Sequence, residues 1–209
     1  MRKGIFITLE GCDGCGKSTQ APRLADFLSS FERSMVHTRE PGGTPFAEQL
    51  RKIILNPDLE ITPVAELMLY EAARSQHLVS TIVPALNKGF LVLCERYIDA
   101  TVAYQGYGRK LSLKMIQQLN ALATGKLMPD LTLVLDLPVE QGLERARVRC
   151  QLPDRMEQQD LAFHRRVRAG YKAIARQFPK RVRLVSGIGT IDEVQRRLQK
   201  ECQKILKLH

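Results

Sequence analysis

The chain has 209 residues, 44% of them hydrophobic and 26% charged, values ordinary for a globular protein, and a formal net charge of +10, which is not. That length allows one well-buried core with a mobile appendage and is too short for two comfortable domains; no run of 18 apolar residues exists to cross a membrane. The charge implies polyanionic partners, but lysines and arginines are spread from Arg2 to Lys207 without a block of five or six, which favours nucleotide clefts and general surface charge over a nucleic-acid tail.

From the N-terminus, Met1-Arg2-Lys3 passes straight into an apolar run with no signal-peptide core, so a cytosolic location is expected. The run from Gly4 to Leu9 reads as a buried strand, and Gly11-Cys12-Asp13-Gly14-Cys15-Gly16-Lys17-Ser18 directly behind it fills the pattern G-x-x-x-x-G-K-[ST]. Glycines let the backbone curl so that its N–H groups face phosphate oxygens. Lys17 then reaches the β- and γ-phosphates and the Ser18 hydroxyl helps hold Mg²⁺. The helix that follows, Lys17 to Phe31, adds its positive end. Cys12 and Cys15 form a C-x-x-C, which alone suggests a redox pair or half a zinc site; both fall in variable slots of the loop and no second pair follows, so a coincidence of small residues is the better reading.

Strand-like runs then alternate with helix-length segments, the signature of an α/β fold with a five-stranded parallel sheet flanked by helices. Further strands are expected at Met35 to Thr38, Phe90 to Cys94, Leu131 to Leu135 and Val182 to Val185, each short and apolar as for strands covered on both faces. Helices are expected at Pro45 to Leu55, Pro63 to Asn87, Leu113 to Thr124, Val139 to Cys150, Met156 to Phe178 and Ile191 to Lys207. No repeat or linker interrupts them, so residues 1–209 read as a single domain.

Tyr70 and Arg74, four apart, share a helix face. Spacing alone does not decide between a ring covered by an arginine stem and a ring that stacks on a base while the guanidinium reads its carbonyl edge. Glu95, at the end of the third strand beside the loop, is placed like the carboxylate that orients Mg²⁺, and Arg96 is positioned to clamp a second phosphate. Tyr104 to Arg109 is glycine-rich and aromatic, suited to lining a site rather than continuing a helix. Between Pro138 and Arg168 arginines are dense, namely Arg145, Arg147, Arg149, Arg155, Arg165, Arg166 and Arg168, with a break at Gln151-Leu152-Pro153-Asp154. A lid over residues 145–160 that closes on transferring phosphates would have this pattern, and so would a solvated helical hairpin.

With Arg39-Glu40-Pro41-Gly42-Gly43-Thr44, Glu95-Arg96-Tyr97, Tyr104-Gln105-Gly106, Pro129-Asp130-Leu131-Thr132-Leu133 and Asp154-Arg155-Met156-Glu157, the chain resembles the thymidylate kinases almost end to end. The resemblance implies a P-loop nucleoside monophosphate kinase fold, phosphorylation of thymidine 5′-monophosphate (dTMP) with Mg-ATP, and a homodimer built on the long helices after the second and third strands. It implies that Gly11, Cys12, Asp13, Gly14, Cys15, Gly16, Lys17, Ser18 and Thr19 bind ATP, and that Ser18 and Glu95 hold the metal. It places Asp13 near the acceptor 3′-hydroxyl, Tyr70 on thymine, Arg74 at its O4 edge, Arg39 and Arg96 at the acceptor phosphate, Thr101 near the base, Tyr104 against C2′, and Gln105 in the acceptor site. Lys17, Glu95, Arg96, Arg149 and Arg155 are the implied catalytic set, in the bacterial-type arrangement where the lid supplies the arginine, since Gly14 offers none.

Departures from the family pattern are Glu95 for Asp, Tyr70 for Phe, Ala100 for a hydroxyl residue, Pro153 in the lid and Ser186-Gly187 under the adenine. A GTPase switch lacks its Asn-Lys-x-Asp, because Asn87-Lys88-Gly89-Phe90 has no acid there. A nucleic-acid binder that uses ATP structurally would show steeply salt-dependent DNA binding.

Overall fold

Ile5, Ile7 and Leu9 point to one face of a strand and Phe6, Thr8 and Glu10 to the other, and all six are buried. In the computed structural model, which describes residues 4–149 (without the Arg149 side chain) and 153–206, this strand is β1 (Ile5–Gly11), the centre of a five-stranded sheet. The order is β2 (Met35–Arg39), β3 (Leu91–Glu95), β1, β4 (Leu131–Asp136), β5 (Val182–Ser186), all parallel. Leu9 registers with Glu95, so the loop after β1 and the end of β3 open side by side at the carboxyl edge, where ligands of parallel sheets bind.

The two sheet faces carry different cores. Ile5, Ile7 and Leu9 pack on Leu24 and Leu28 of α1 (Lys17–Ser29) and Leu198 of α9 (Ile191–Leu206). Opposite them, Phe6 meets Leu86, Val92 and Tyr97, while Val134 packs on Phe163, Val167 and Tyr171 of α8 (Leu161–Gln177). Each such buried side chain contributes about 1.5–3 kcal/mol. That second face also buries polar groups: Thr8 hydrogen-bonds Thr132, and the Asp99 carboxylate accepts from Thr132 and twice from Arg181.

The helices α2 (Pro45–Leu55) and α6 (Leu113–Thr124) have the expected bounds, and Thr44 and Ser112 cap them. Four expectations are corrected. The edge strands β2 and β5 are only half-buried, because each lies at the margin of the sheet with part of its surface facing solvent. The single helix expected over Pro63 to Asn87 is α3 (Pro63–His77), a π-helical turn Leu78–Ile82 and α4 (Val83–Asn87); Pro84 has no N–H to continue the ladder, and Val83 N–H reaches back to Leu78.

Where Tyr104 to Arg109 was expected to leave the helical state, α5 (Ile98–Thr101) runs into a second π-helical stretch, Val102–Gly108. Its glycine serves packing: a Cβ on Gly108 would lie 2.6 Å from the Phe163 ring. Finally, α8 starts at Leu161 rather than near Met156. Asp154 accepts from the N–H groups of Met156 and Glu157, and Asp160 caps α8 from Phe163 N–H, so the chain turns once before the helix begins. The expected end of α7 (Val139–Arg149) at Cys150 lies outside the described residues. No helix among the described residues is long and apolar enough to cross a membrane.

Candidate active site

At the loop after β1, Gly14 has φ +69° and lies so close to α7 that a Cβ there would overlap the Gly142 carbonyl. Cys12 and Cys15 are free thiols that anchor the loop in opposite cores, one beside Val134 and Phe163, the other beside Leu24. Burial, then Cys15 and Asp13, push the Cys12 thiol up to about 12. Lys17 Nζ donates to the Gly11 and Cys12 carbonyls, both at 2.8 Å. Ser18 and Thr19 lie in the first turn of α1, and Ser18 lines the same cleft as Lys17 and Glu95.

On the other wall, Arg96 has φ +65°, unusual for a side chain of its size. Its Nη2 donates to Asp13 Oδ1 (2.5 Å), its Nη1 to the Gly11 carbonyl (3.3 Å), and its guanidinium lies 4.8 Å over the Tyr104 ring. The Tyr104 hydroxyl donates to Asp13 Oδ2 at 2.9 Å. Burial pushes the Asp13 carboxyl upward, yet Arg96, Lys17 and the Tyr104 hydrogen bond hold it below the usual value, so it is ionised. Glu95 is likewise held low against burial, here mainly by His37, whose Nε2 is 3.1 Å from Oε1.

Arg39, Tyr70, Arg74, Thr101, Tyr104 and Gln105 line this cleft with the loop, as the sequence places them together. Thr101 is buried, and its hydroxyl has no hydrogen-bond partner among the described residues. Arg39 pairs with Glu48. Arg74 is fully buried: among the described residues it donates to Glu40, Glu71, Asn120 and the Tyr97 carbonyl, which engages four of its five N–H groups. The neighbouring carboxylates raise its pKa further above the ordinary arginine value despite burial.

Arg155 is the sequence-predicted residue whose described partners are elsewhere. Its Nη1 pairs with Glu66 at 2.6 Å and its Nε donates to the Ile54 carbonyl, and it is not part of the cleft lining. Glu66 is fully buried and also receives Arg109 and Gln105, so this cluster fixes the turn at Arg155 to α2 and α3. Of the other arginines in the dense stretch from Pro138 to Arg168, those on α8 pair within the fold: Arg165 with Glu140, Arg166 with the Gly108 carbonyl and Arg168 with Asp136. The side chain of Arg149 lies outside the described residues.

Sequence reasoning missed Arg51, which lines the cleft and donates to the Pro41 carbonyl. Burial, then Arg39 and Arg96, lower its pKa, the mark of three guanidinium groups gathered where an anion belongs. The signal available was the cationic seventh residue of the helix that follows the Arg-Glu-Pro-Gly-Gly block. The buried roles of Glu40, which holds Arg74, of Glu66, which holds Arg109 and Arg155, and of Glu10, which accepts from Tyr97 N–H and the Tyr171 hydroxyl, were missed because nothing local in a sequence marks a charge as buried.

The chain matches the thymidylate kinase family over residues 9–198. It is 54% identical over 200 residues to a thymidylate kinase of Syntrophotalea carbinolica, covering 93% of each chain. With the thymidylate kinase of Deinococcus radiodurans it shares 47% over 195 residues, covering 93% of this chain and 94% of the relative. Among solved structures, thymidylate kinase from Ehrlichia chaffeensis superposes with a TM-score of 0.80 at 33% identity, covering 95% of this chain and 98% of that one. A phosphate loop facing an Arg96–Asp13–Tyr104 cluster, in a chain matched along nearly all its length, means that this protein belongs to the thymidylate kinase family.

Proposed function

We propose that this cleft transfers the γ-phosphoryl group of ATP to dTMP, giving dTDP, with the loop from Gly11 to Thr19 as the ATP side and Arg39, Arg51, Tyr70, Arg74, Arg96, Thr101, Tyr104 and Gln105 as the acceptor side. The observation that carries it is the meeting, within one cleft, of the loop lysine with four arginines and an ionised aspartate. Two phosphorylated ligands brought end to end need cations between them, and Lys17, Arg39, Arg51 and Arg96 supply that charge on already folded supports. Asp13, held between Arg96 and Tyr104, is an acceptor suited to a sugar hydroxyl.

Ser18 and Glu95 present hard oxygen donors toward the same space, and Glu95 is kept ionised, so the pair suits a magnesium ion. Bound there, Mg²⁺ would neutralise phosphate charge. The protein needs no general base, because the attacking phosphate oxygen of dTMP is already anionic. Its own work is to orient, to screen charge and to exclude water beneath the lid, with Arg149 as the lid cation at the transferred group and Arg155 holding the lid segment through Glu66.

A homodimer is supported by the exposed apolar residues Phe46 and Ile53 on α2, Val64 and Met68 on α3, and Leu113 and Leu122 on α6. The reaction is tested by ADP release from Mg-ATP with dTMP, dUMP, dCMP, dGMP and AMP, with Lys17→Ala as the blank. Strong preference for dTMP is expected; preference for another acceptor overturns the base reading, and no transfer overturns the activity.

A further inference from the structure

Arg96 reaches the phosphate cleft only because the chain turns left-handed at that residue, a conformation that a bulky side chain does not adopt without help. The help comes from β1. Arg96 N–H donates to the Leu9 carbonyl at 3.0 Å, and the next peptide, Tyr97 N–H, donates to Glu10 Oε1 at 2.7 Å. The second Glu10 oxygen accepts from the Tyr171 hydroxyl of α8 at 2.9 Å. Glu10 is completely buried, so both oxygens are fixed in direction.

We propose that Glu10 is a positioning residue for acceptor binding: its carboxylate locks the Arg96–Tyr97 turn from below and thereby sets the guanidinium against Asp13 and the acceptor phosphate. This rests on the reading of Arg96 as an acceptor-phosphate contact. Glu10 is buried and does not line the cleft, and it sits on the strand face opposite Leu9, away from α1 and the ATP side of the loop.

The electrostatic surroundings agree. Burial, then the Asp99 carboxylate of α5, raise the Glu10 pKa to about 7, against the opposing effects of Arg96, Tyr171 and the Tyr97 N–H. Asp99 is itself paired with Arg181, the residue before β5. The glutamate is therefore held at a cost that a leucine or a glutamine would not incur, which is the pattern of a group kept for what it orients.

The test is Glu10→Gln, which keeps the length and a carbonyl acceptor for Tyr97 N–H but removes the charge. The expected result is a rise of about tenfold in KM for dTMP, KM for ATP within twofold of the parent, and a melting temperature at pH 8 that is not lowered. The acid limb of kcat/KM for dTMP near pH 7 should flatten relative to the parent, the substrate's own phosphate titration being common to both. Tyr171→Phe removes one bond that lowers the Glu10 pKa and should move that limb to higher pH. Equal loss for both substrates, or pH profiles that superimpose on the parent's in both variants, overturns the proposal. Arg96→Ala is the separate control: unchanged KM for dTMP there means that the Arg96 reading has failed, whatever Glu10 does.

Discussion

Arg74 Nε donates to Glu40 Oε2 over 2.8 Å, with both side chains no more than 3% exposed. The other Glu40 oxygen lies 3.0 Å from His77 Nδ1, whose Nε2 meets the Thr38 hydroxyl at 2.7 Å. The glutamate of the Arg-Glu-Pro-Gly-Gly block thus orients the arginine that sequence reasoning placed at the base edge.

Replacing Glu40 by alanine should therefore act twice. Unpairing a buried arginine typically costs about 3–5 kcal/mol, and because Glu71 remains as a second partner we expect about 2–4 kcal/mol, measured by urea denaturation. With Arg74 released, KM for dTMP should rise about tenfold while KM for ATP stays within twofold. An unchanged dTMP KM in a folded variant would separate Arg74 from base reading.

Lys17→Ala should abolish transfer, and Arg149→Ala should lower kcat by about tenfold or more with a smaller change in KM for dTMP, as for a cation that acts at the transition state. Steady-state kinetics at saturating Mg-ATP checks both. A near-normal rate in the lysine variant would refute the placement of ATP in the loop.

Arg155→Ala should show the opposite balance. Losing one of the guanidinium partners of the buried Glu66 carboxylate should cost about 1–3 kcal/mol of stability, with kcat falling less than in Arg149→Ala. A larger kcat loss than Arg149→Ala gives, at full stability, would return Arg155 to the reacting atoms.

Glu10 also predicts how stability follows pH. Its folded pKa, about 7, lies above the ordinary 4.5, so between those values the folded chain keeps a proton that the unfolded chain has released. Stability from this group is complete below about pH 4.5 and is lost as pH rises through about 7, a change on the order of 3 kcal/mol. Asp13 runs the other way: its depressed pKa gives stability above the ordinary 3.8 that is lost in acid. The stability advantage of Glu10→Gln over the parent, from denaturant titrations, should accordingly grow between pH 5 and pH 8.

For the dimer, Met68→Glu places a charge on the exposed face of α3 and should yield a monomer in sedimentation velocity, with the fold retained by circular dichroism. An unchanged sedimentation coefficient would direct the dimer reading to another face.

What was legible in the sequence is what local physics dictates. The apolar run before Gly11 and the glycine spacing specify a strand, a curled loop and a helix start without reference to the rest of the chain. The helical path from Ile98 to Gly108 was hidden because Gly106 and Gly108 read as breakers, while their role is to admit Leu113 and Phe163 at close range. Likewise Arg155 reads in sequence as one more arginine of a dense stretch; only the folded position of Glu66, from a helix some ninety residues earlier, shows what its guanidinium pairs with. Tyr70 and Arg74 share a helix face as their spacing requires, yet it is Glu40 on another segment that turns the guanidinium toward the cleft wall.

The contact between Gly14 and Gly142 gives α7 a fulcrum. Backbone touches backbone there, so that end of the helix has no room to advance on the loop, whereas its far end carries Arg149. At about 1.5 Å of rise per residue, Arg149 stands roughly 10 Å along the lever from Gly142. A tilt of about 15° would carry its backbone nearly 3 Å, the length of one hydrogen bond, so a small rotation about this fixed point would be felt mainly at the far end of α7 and hardly at the phosphate loop.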